Sequence, residues 1–459
     1  MLTHNPSLEN AVASFFTPTS QKPKDRVVWS ERAPDNDTPA TLLVARYEPD
    51  AAKETQGTED TSATKRRRIA AFDLDSTLIT SASGKKHADS PTDWKWWDMS
   101  VPAKLRSLYH TDGYRIVILS NQGGITLHPD RNAKGPKKSI QDRLSSFKQK
   151  VSAVLSQLDI PLTLYAATGK DGFRKPRTGM WKEVCEDYGL TQEDVDTSKS
   201  IFVGDAGGRK AQLKGATAVP KDFSCSDRNF ATNVGITYQT PEEFFMGEKP
   251  RDFTRDFDLT HYPFTASSLT ETNTPLFEKK NDKDIVLFCG SPGAGKSTFY
   301  WKYLKPLGYE RVNQDILKRY VLLIYRVVNI TQKFYSKDKC FRAAADHLSE
   351  GDSVAIDNTN ADPDTRAQWI ELARKNKVPI RCLWFKTPIP IAEHNDAVRA
   401  MNRPMNPESR TSLPKLAFNG FASRFKEPKA KEGFQDVVEI DFKFRGTEDE
   451  YQIWGRYWL

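Results

Sequence analysis

Two cycles of apolar and amphipathic segments run along the chain, with a stretch of neither period between them. In the first cycle the apolar runs RIAAFDLD, YRIVILSN, LTLYAAT and SIFVGDA, each bounded by turn residues, predict strands, while IQDRLSSFKQKVSAVLSQL has the spacing of an amphipathic helix. Ahead of them VVWSER and TLLVARYEP add two short strands. The second cycle opens at DIVLFCGSPGAGKST and continues through SVAIDNTN and PIRCLWFK. Alternation of strand and helix is the pattern of parallel sheets covered by helices, so the expected fold class is α/β, with two parallel-sheet domains. Residues 1–25 and 50–64 are rich in Ser, Thr, Pro, Asp and Glu without apolar period and read as disordered or loosely attached. Domains are expected over 26–245 and 281–459, with 246–280 as the connector.

Composition narrows the class only a little. A chain of 459 residues with 38% hydrophobic and 28% charged residues is long enough for two or three globular domains. The net charge of +8 suits a polyanionic partner such as nucleic acid, although a lysine-rich soluble surface is the commoner source of such an excess. Cys185, Cys225, Cys289, Cys340 and Cys382 lie far apart, without the paired spacing of a zinc site or a disulfide framework, which fits reduced thiols in a cytosolic or nuclear protein. The N-terminus has no basic-then-apolar signal, and the longest apolar run is short and contains Arg326, so no membrane span is expected.

Chemistry enters with Asp73 and Asp75, which follow a strand at the end where open α/β sheets build their sites. Two carboxylates at this spacing, with Thr77 beyond them, suit a Mg²⁺ ion, a nucleophile and a proton shuttle. A lone D-x-D-x-T also fits a turn at a strand end. Its weight comes from the loops that follow: Ser120 and Asn121 after the second strand, Lys175 in a third loop and Asp205 after a fourth. A hydroxyl donor, a cation and another metal carboxylate are what phosphoryl transfer through an aspartyl-phosphate requires.

These loops resemble those of the haloacid dehalogenase superfamily. The resemblance implies Asp73 as nucleophile, Asp75 as general acid and base, Ser120 and Lys175 as phosphate clamp, and Asp205 with Asp73 and Asp75 about the magnesium. FVGDAGGR followed by KDFSCSDRNFATNVGI is similar to the phosphatase domain of the polynucleotide kinase 3′-phosphatase family, which implies that Asp222 to Asp227 lie beside the site.

In the second cycle GSPGAGKS, Gly290 to Ser297, fits G-x-x-x-x-G-K-[ST] directly after a strand. Backbone N–H groups of Gly290, Gly293, Gly295 and Thr298 are expected to cradle ATP phosphates, Lys296 to reach the β- and γ-phosphates and Ser297 to bind Mg²⁺. A P-loop leaves the acceptor open. Asp315 in RVNQD is a candidate general base, Asp357 and Asn360 follow the next strand, and Arg399 and Arg403 on a helix are candidates to neutralise the transferring phosphoryl. Singly, each residue is equally a cap or a solvated charge; together they resemble the 5′-kinase domain of the same bifunctional family, over most of residues 65–444.

The resemblance implies an enzyme that heals DNA strand breaks, removing 3′-phosphates and phosphorylating 5′-hydroxyls with ATP, in the nucleus, as a monomer and without a forkhead-associated module in front. The alternatives are a small-molecule phosphatase fused to a small-molecule kinase, and a repair phosphatase whose kinase half is inactive. Lys95 to Trp97 and Arg209 are candidates for stacking and phosphate contact, with core packing the stronger reading for the tryptophans. ENAVASFFTPTSQK, with Val12, Phe15 and Phe16 at helical spacing, resembles a motif that binds the sliding clamp PCNA, with Glu9 where that motif has glutamine. KRRR, Lys65 to Arg68, suits nuclear import or a structural role at the strand it precedes.

One block disagrees with its surroundings. In the family, the catalytic aspartate is followed after about two helical turns by a position matching Cys340, yet here YVLLIYRVVNITQKFYS, Tyr320 to Ser336, intervenes with strong β-propensity. It reads either as a genuine insertion forming a surface hairpin or as a retained intron; removing its seventeen residues joins QDILKR to KDKCFRAAADHL in one continuous amphipathic helix, which favours the second.

Overall fold

The computed structural model describes residues 26–49, 66–85, 90–129, 137–191, 193–214, 217–265, 276–314 and 336–459. The chain divides into two compact units, Met1–Phe253 and Thr254–Leu459. The segments 1–25 and 50–65, with Phe15, Phe16 and Lys65, lie outside the described residues, as do Asp315 and all of the block from Tyr320 to Tyr335.

The first unit is built on strands β1 (Val27–Arg32), β2 (Leu42–Tyr47), β3 (Ile69–Phe72), β6 (Arg115–Asn121), β7 (Leu162–Ala167), β8 (Ile201–Val203) and β11 (Thr237–Gln239), with short ribbons β4 (Ile79–Thr80) with β5 (Lys95–Trp96) and β9 (Gln212–Lys214) with β10 (Thr217–Val219). The sheet order is β1-β2-β7-β6-β3-β8-β11. Five strands run parallel, and β2 joins them antiparallel to β7, so the sheet is mixed rather than wholly parallel. Both faces of β3 are covered: Ala70 and Phe72 enter one core with Ile116, Ile118 and Val151, while Ile69 and Ala71 enter another with Val117, Tyr165 and Phe202. Two covered faces are why this strand reads as a continuous apolar run rather than an alternating one.

The second unit has a five-stranded parallel sheet of β12 (Ile285–Cys289), β13 (Tyr309–Val312), β14 (Ser353–Ile356), β15 (Ile380–Phe385) and β16 (Val437–Ile440), ordered β13-β14-β12-β15-β16. The central β12 is fully buried and ends directly at the P-loop, which leads into the helix Lys296–Phe299. Cys340, on the helix Ser336–Glu350, packs into the core with Val312, Ile356 and Trp369.

The chain ends of both sheets were the hardest to read from sequence. β11, β13 and β16 are edge strands of three or four residues, each partly exposed, so they lack the apolar run that marks a central strand. The expected connector is largely ordered structure. Lys210 donates to the Asp252 carbonyl within the first unit, whereas Leu259 and Tyr262 pack with Trp454 in the second. Among the described residues no helix is long and apolar enough to cross a membrane.

Candidate active sites

At the carboxyl end of β3 the backbone N–H of Asp73 donates to Val203 on β8, which fixes the first carboxylate against the neighbouring strand. Lys175 Nζ lies 2.7 Å from Asp73 Oδ1 and 2.9 Å from Asp227 Oδ1, with the lysine almost wholly buried. Asn121 fixes the backbone of that lysine from both sides, accepting from its N–H and donating to its carbonyl. Single oxygens of Asp73, Asp205 and Asp227 all lie within 4.8 Å of one another.

Three carboxylates and one ammonium carry net negative charge in a buried place. Burial pushes the Asp73 carboxyl up to about 7, Lys175 pulling against it and Asp227 adding to the rise. Burial and the charges of Asp73 and Asp227 push Asp205 up to about 8. For Lys175 burial acts in the opposite sense and lowers it, but the two carboxylates more than offset that, so it too is raised. A dense set of hard oxygen donors with unfavourable mutual repulsion fits a divalent cation such as Mg²⁺.

Gly204, in VGDAGGR, is part of this construction. A Cβ there would sit 2.3 Å from Asp227 Oδ2, so any side chain would push Asp227 away from Lys175. The loop after it is tied to the segment carrying Asp227: Ala206 N–H donates to Asp227, and Gly207 N–H and Arg209 N–H donate to Asp222.

The Asp75 side chain lies apart from that carboxylate cluster. The chain turns sharply after it through Ser76, at φ 61°, and the Asp75 carboxylate accepts from Gln122 Nε2 at 2.7 Å and Lys150 Nζ at 3.1 Å, 51% exposed. Asp227, not Asp75, completes the cluster of three carboxylates with Asp73 and Asp205. The same Gln122 amide donates to Ser120 Oγ at 2.9 Å, so Ser120 and Asp75 share one positioning side chain. The Thr77 hydroxyl is buried with no hydrogen-bond partner among the described residues.

Arg209, a candidate for phosphate contact, is paired within its own unit. It is buried, donating to Asp222, Glu242 and the Asp205 carbonyl, and it braces the metal loop. Trp96 and Trp97 are also spent on packing, Trp96 edge-on to Trp94 and Trp97 against Phe245.

In the second unit the P-loop borders a cavity of about 900 Å³ lined also by Trp301, Gln314, Arg399 and Arg410. Gly293 has φ 70°, and a Cβ there would lie 2.1 Å from the Ala392 carbonyl, so only glycine fits. Lys296 is buried and donates to the carbonyls of Gly290 and Ser291 at 2.9 and 2.6 Å; burial lowers it to about 8. Ser297 Oγ donates to Asp357 Oδ2 at 2.8 Å.

Asp357 is the centre of a larger network. Arg311 on β13 donates to the same carboxylate through Nε at 2.7 Å, and to Glu408 through Nη1 at 2.6 Å. Glu408 also accepts from Arg410 and Trp301 Nε1. Burial works to raise Glu408, but these donors, Arg311 foremost, hold it down at about 2. Arg399 pairs with Asp396 one turn earlier on its helix. Asn360 turns into the core and donates to the Phe288 carbonyl at 2.7 Å, a brace at the end of β12 rather than a substrate contact. Arg403 lies in a short 3₁₀ turn after that helix.

Sequence reasoning did not single out Lys150, Gln122, Arg311, Glu408 or Arg410. Lys150 sits mid-helix and Arg311 mid-strand, where motifs have no purchase, and Glu408 and Arg410 lie in an irregular loop. Gln122 alone carried a signal, its place directly after Ser120-Asn121.

A mixed sheet whose parallel strands end in a carboxylate and lysine cluster, and a parallel sheet that ends in a P-loop, define an enzyme with two phosphoryl-transfer centres. Residues 68–245 match the polynucleotide kinase 3 phosphatase family and residues 285–428 match an AAA domain family. The chain is 37% identical over 393 residues to the bifunctional polynucleotide phosphatase/kinase of Schizosaccharomyces pombe, covering 85% of this chain and 84% of that one. It is 30% identical over 411 residues to a putative bifunctional polynucleotide phosphatase/kinase of Acanthamoeba polyphaga mimivirus, covering 85% and 88%. Over 39% of its length the chain is similar to a polynucleotide 3′-phosphatase of Saccharomyces cerevisiae, 29% identical over 219 residues and covering 87% of that protein. The chain belongs to the bifunctional polynucleotide phosphatase/kinase family.

Proposed function

We propose that this chain heals the ends of DNA strand breaks, hydrolysing 3′-phosphates in its first unit and transferring a phosphate from ATP to 5′-hydroxyls in its second. The observation that carries the reading is the pairing, on one chain, of the Asp73, Lys175, Asp205 and Asp227 cluster with a P-loop whose Ser297 is tied to Asp357.

In the first reaction Asp73 attacks phosphorus as the bond to the 3′-oxygen breaks, and Asp75 gives that oxygen its proton. Water then attacks the acyl phosphate, Asp75 takes the proton from it, and inorganic phosphate leaves. Ser120 Oγ and Lys175 Nζ hold the phosphate oxygens throughout, with Gln122 keeping Ser120 and Asp75 in fixed relation. Mg²⁺, held by Asp73, Asp205 and Asp227 in this unit and by Ser297 in the other, would supply positive charge against the phosphate oxygens.

In the second reaction the N–H groups of Gly290, Gly293, Gly295 and Thr298 cradle the ATP phosphates, and Lys296 leaves the Gly290 and Ser291 carbonyls to meet them. Arg399 faces the same cavity as a cation for the transferring group. Asp315 takes the proton from the attacking 5′-hydroxyl, which forms a new bond to the γ-phosphorus as ADP departs.

A nicked duplex bearing a 5′-hydroxyl and a 3′-phosphate, incubated with ATP, tests both halves together. Ligatable termini are expected. Turnover of sugar phosphates with no action on the nick would show the small-molecule fusion instead. Loss of the 3′-phosphate without 5′-labelling would show the repair phosphatase with an inactive kinase half.

Nuclear residence follows from the repair role. It draws less from KRRR, because Arg66 donates to the Tyr109 and Tyr114 carbonyls and Arg67 to those of Glu193 and Asp194, which supports the structural reading of that run. Binding of PCNA through Phe15 and Phe16 belongs to the same repair role, and a Phe15→Ala, Phe16→Ala double variant that still binds the clamp would remove it.

A further inference from the structure

Phe223 is 100% exposed, an unusual place for a large apolar ring, which forgoes all the burial free energy that a phenylalanine carries. Its position is not a matter of a loose loop. On one side Asp222 N–H donates to the Arg209 carbonyl at 3.0 Å, and the Asp222 carboxylate accepts from Gly207 N–H, Arg209 N–H and Arg209 Nε. On the other side the Ser224 carbonyl accepts from Gly208 N–H at 3.0 Å. The ring is thus presented to solvent on a backbone pinned at both neighbouring residues.

The pins are the loop that carries Asp205, and four residues after Phe223 comes Asp227, 2.9 Å from Lys175. Four residues of chain reach at most roughly 14 Å, so the ring's backbone stands close beside the phosphate-handling cluster. Lys221, two residues before it, and Lys210, next to the Arg209 whose carbonyl pins Asp222, are both exposed. An aromatic ring beside lysines at the edge of a phosphate site has the makings of a stacking platform for nucleobases, and it is tolerant of sequence because every base offers a π face.

We propose that Phe223 stacks on the 3′-terminal base of the polynucleotide whose 3′-phosphate enters the Asp73 site, and so selects nucleic-acid ends over small phosphate esters. This rests on the 3′-phosphatase reading above and adds a specificity residue to it. Stacking of this kind is an interaction made before and during reaction alike, so it belongs in KM rather than kcat.

The test uses the full chain and two single-stranded oligonucleotides, identical but for a 3′-phosphorylated terminal nucleotide that either carries or lacks its base. Phe223→Ala is expected to lower kcat/KM on the base-bearing substrate by about 5- to 100-fold, mostly through KM, and to have little effect on the abasic one. Phe223→Trp is expected to restore the activity, with indole fluorescence quenched on titration by the base-bearing product strand. Equal losses on both substrates would mean that the loop only positions Asp227, and would overturn the proposal. So would an unchanged kcat/KM, the outcome if the ring instead docks a protein partner together with the exposed Leu213. Wild-type protein inactive on every 3′-phosphorylated oligonucleotide would sink the underlying reading rather than the role of this ring.

Discussion

Replacing Arg311 by methionine isolates the network that links the P-loop to the 408–410 loop. The guanidinium side chain is 4% exposed and the Asp357 side chain 1% exposed, so both charges of this pair are buried. Removing the cation strips the Asp357 carboxylate of its guanidinium donor and leaves it the Ser297 hydroxyl, whereas Glu408 keeps Arg410 and Trp301. Stripping one partner from a buried ion pair costs about 3–5 kcal/mol. In a unit of about 200 residues each kcal/mol moves Tm by about 2–4 °C, so the second unit should melt roughly 6 to 20 °C lower. Thermal unfolding, with that unit's transition identified as the one ATP raises, reads the shift directly. Kinase activity should fall with it, because Asp357 loses its fixed place beside Ser297, while 3′-phosphatase activity persists as the internal control for folding. The Asp357→Asn variant closes a double-mutant cycle in which the pair should cost less than the sum of its singles by more than about 1 kcal/mol. A shift below about 2 °C, or an additive cycle, would refute the claim that this pair holds the P-loop serine in place.

Asp73→Asn should abolish 3′-phosphate removal and leave ATP-dependent 5′-phosphorylation intact, and Lys296→Ala should do the reverse; loss of both activities from either change, in folded protein, would sink the two-centre account. Asp73 and Asp205 lie at about 7 and about 8, above the ordinary carboxyl value of 3.8, so the folded form holds these protons more tightly than the unfolded chain does. The contribution of these two groups to the stability of the metal-free first unit is therefore full below about pH 4 and is lost as pH rises through 7 to 8. Unfolding in EDTA between pH 5 and 8 should show this fall, weakened in Asp73→Asn, and an equal fall in the variant would contradict it. Deleting Tyr320 to Ser336 should raise kinase activity and leave the phosphatase unchanged; a deletion that lowers kinase activity would establish the block as a working part of the enzyme.

What the sequence made legible follows from how each feature is encoded. Central strands covered on both faces announce themselves as apolar runs, so β3, β6, β7, β12, β14 and β15 could be read, and the residues at their carboxyl ends came with them. Asp73 and the P-loop begin directly after such a strand, Ser120 is the last residue but one of β6 and Asp205 follows β8 by two, so the local pattern gives their place in space. Asp75 shows the limit of that logic, since a left-handed turn at Ser76 follows it and its carboxylate meets Lys150 and Gln122 rather than the Asp73, Asp205 and Asp227 cluster. Asp227 reaches the cluster from a helix start, across a gap left by Gly204; the KDFSCSDRNF resemblance put it beside the site, but no strand-end pattern assigns it a place there. Arg209 was misplaced for a related reason: one arginine beside a glycine pair can face a phosphate or brace a loop with equal sequence, and two acidic partners distant along the chain decided it. The residues that act by approaching one another across the sheet are thus the ones hidden in sequence, while those that act from a strand end are visible. Phe223 falls between these cases, because its sequence neighbourhood is that of a site loop and only its exposure reveals that the ring is held outward.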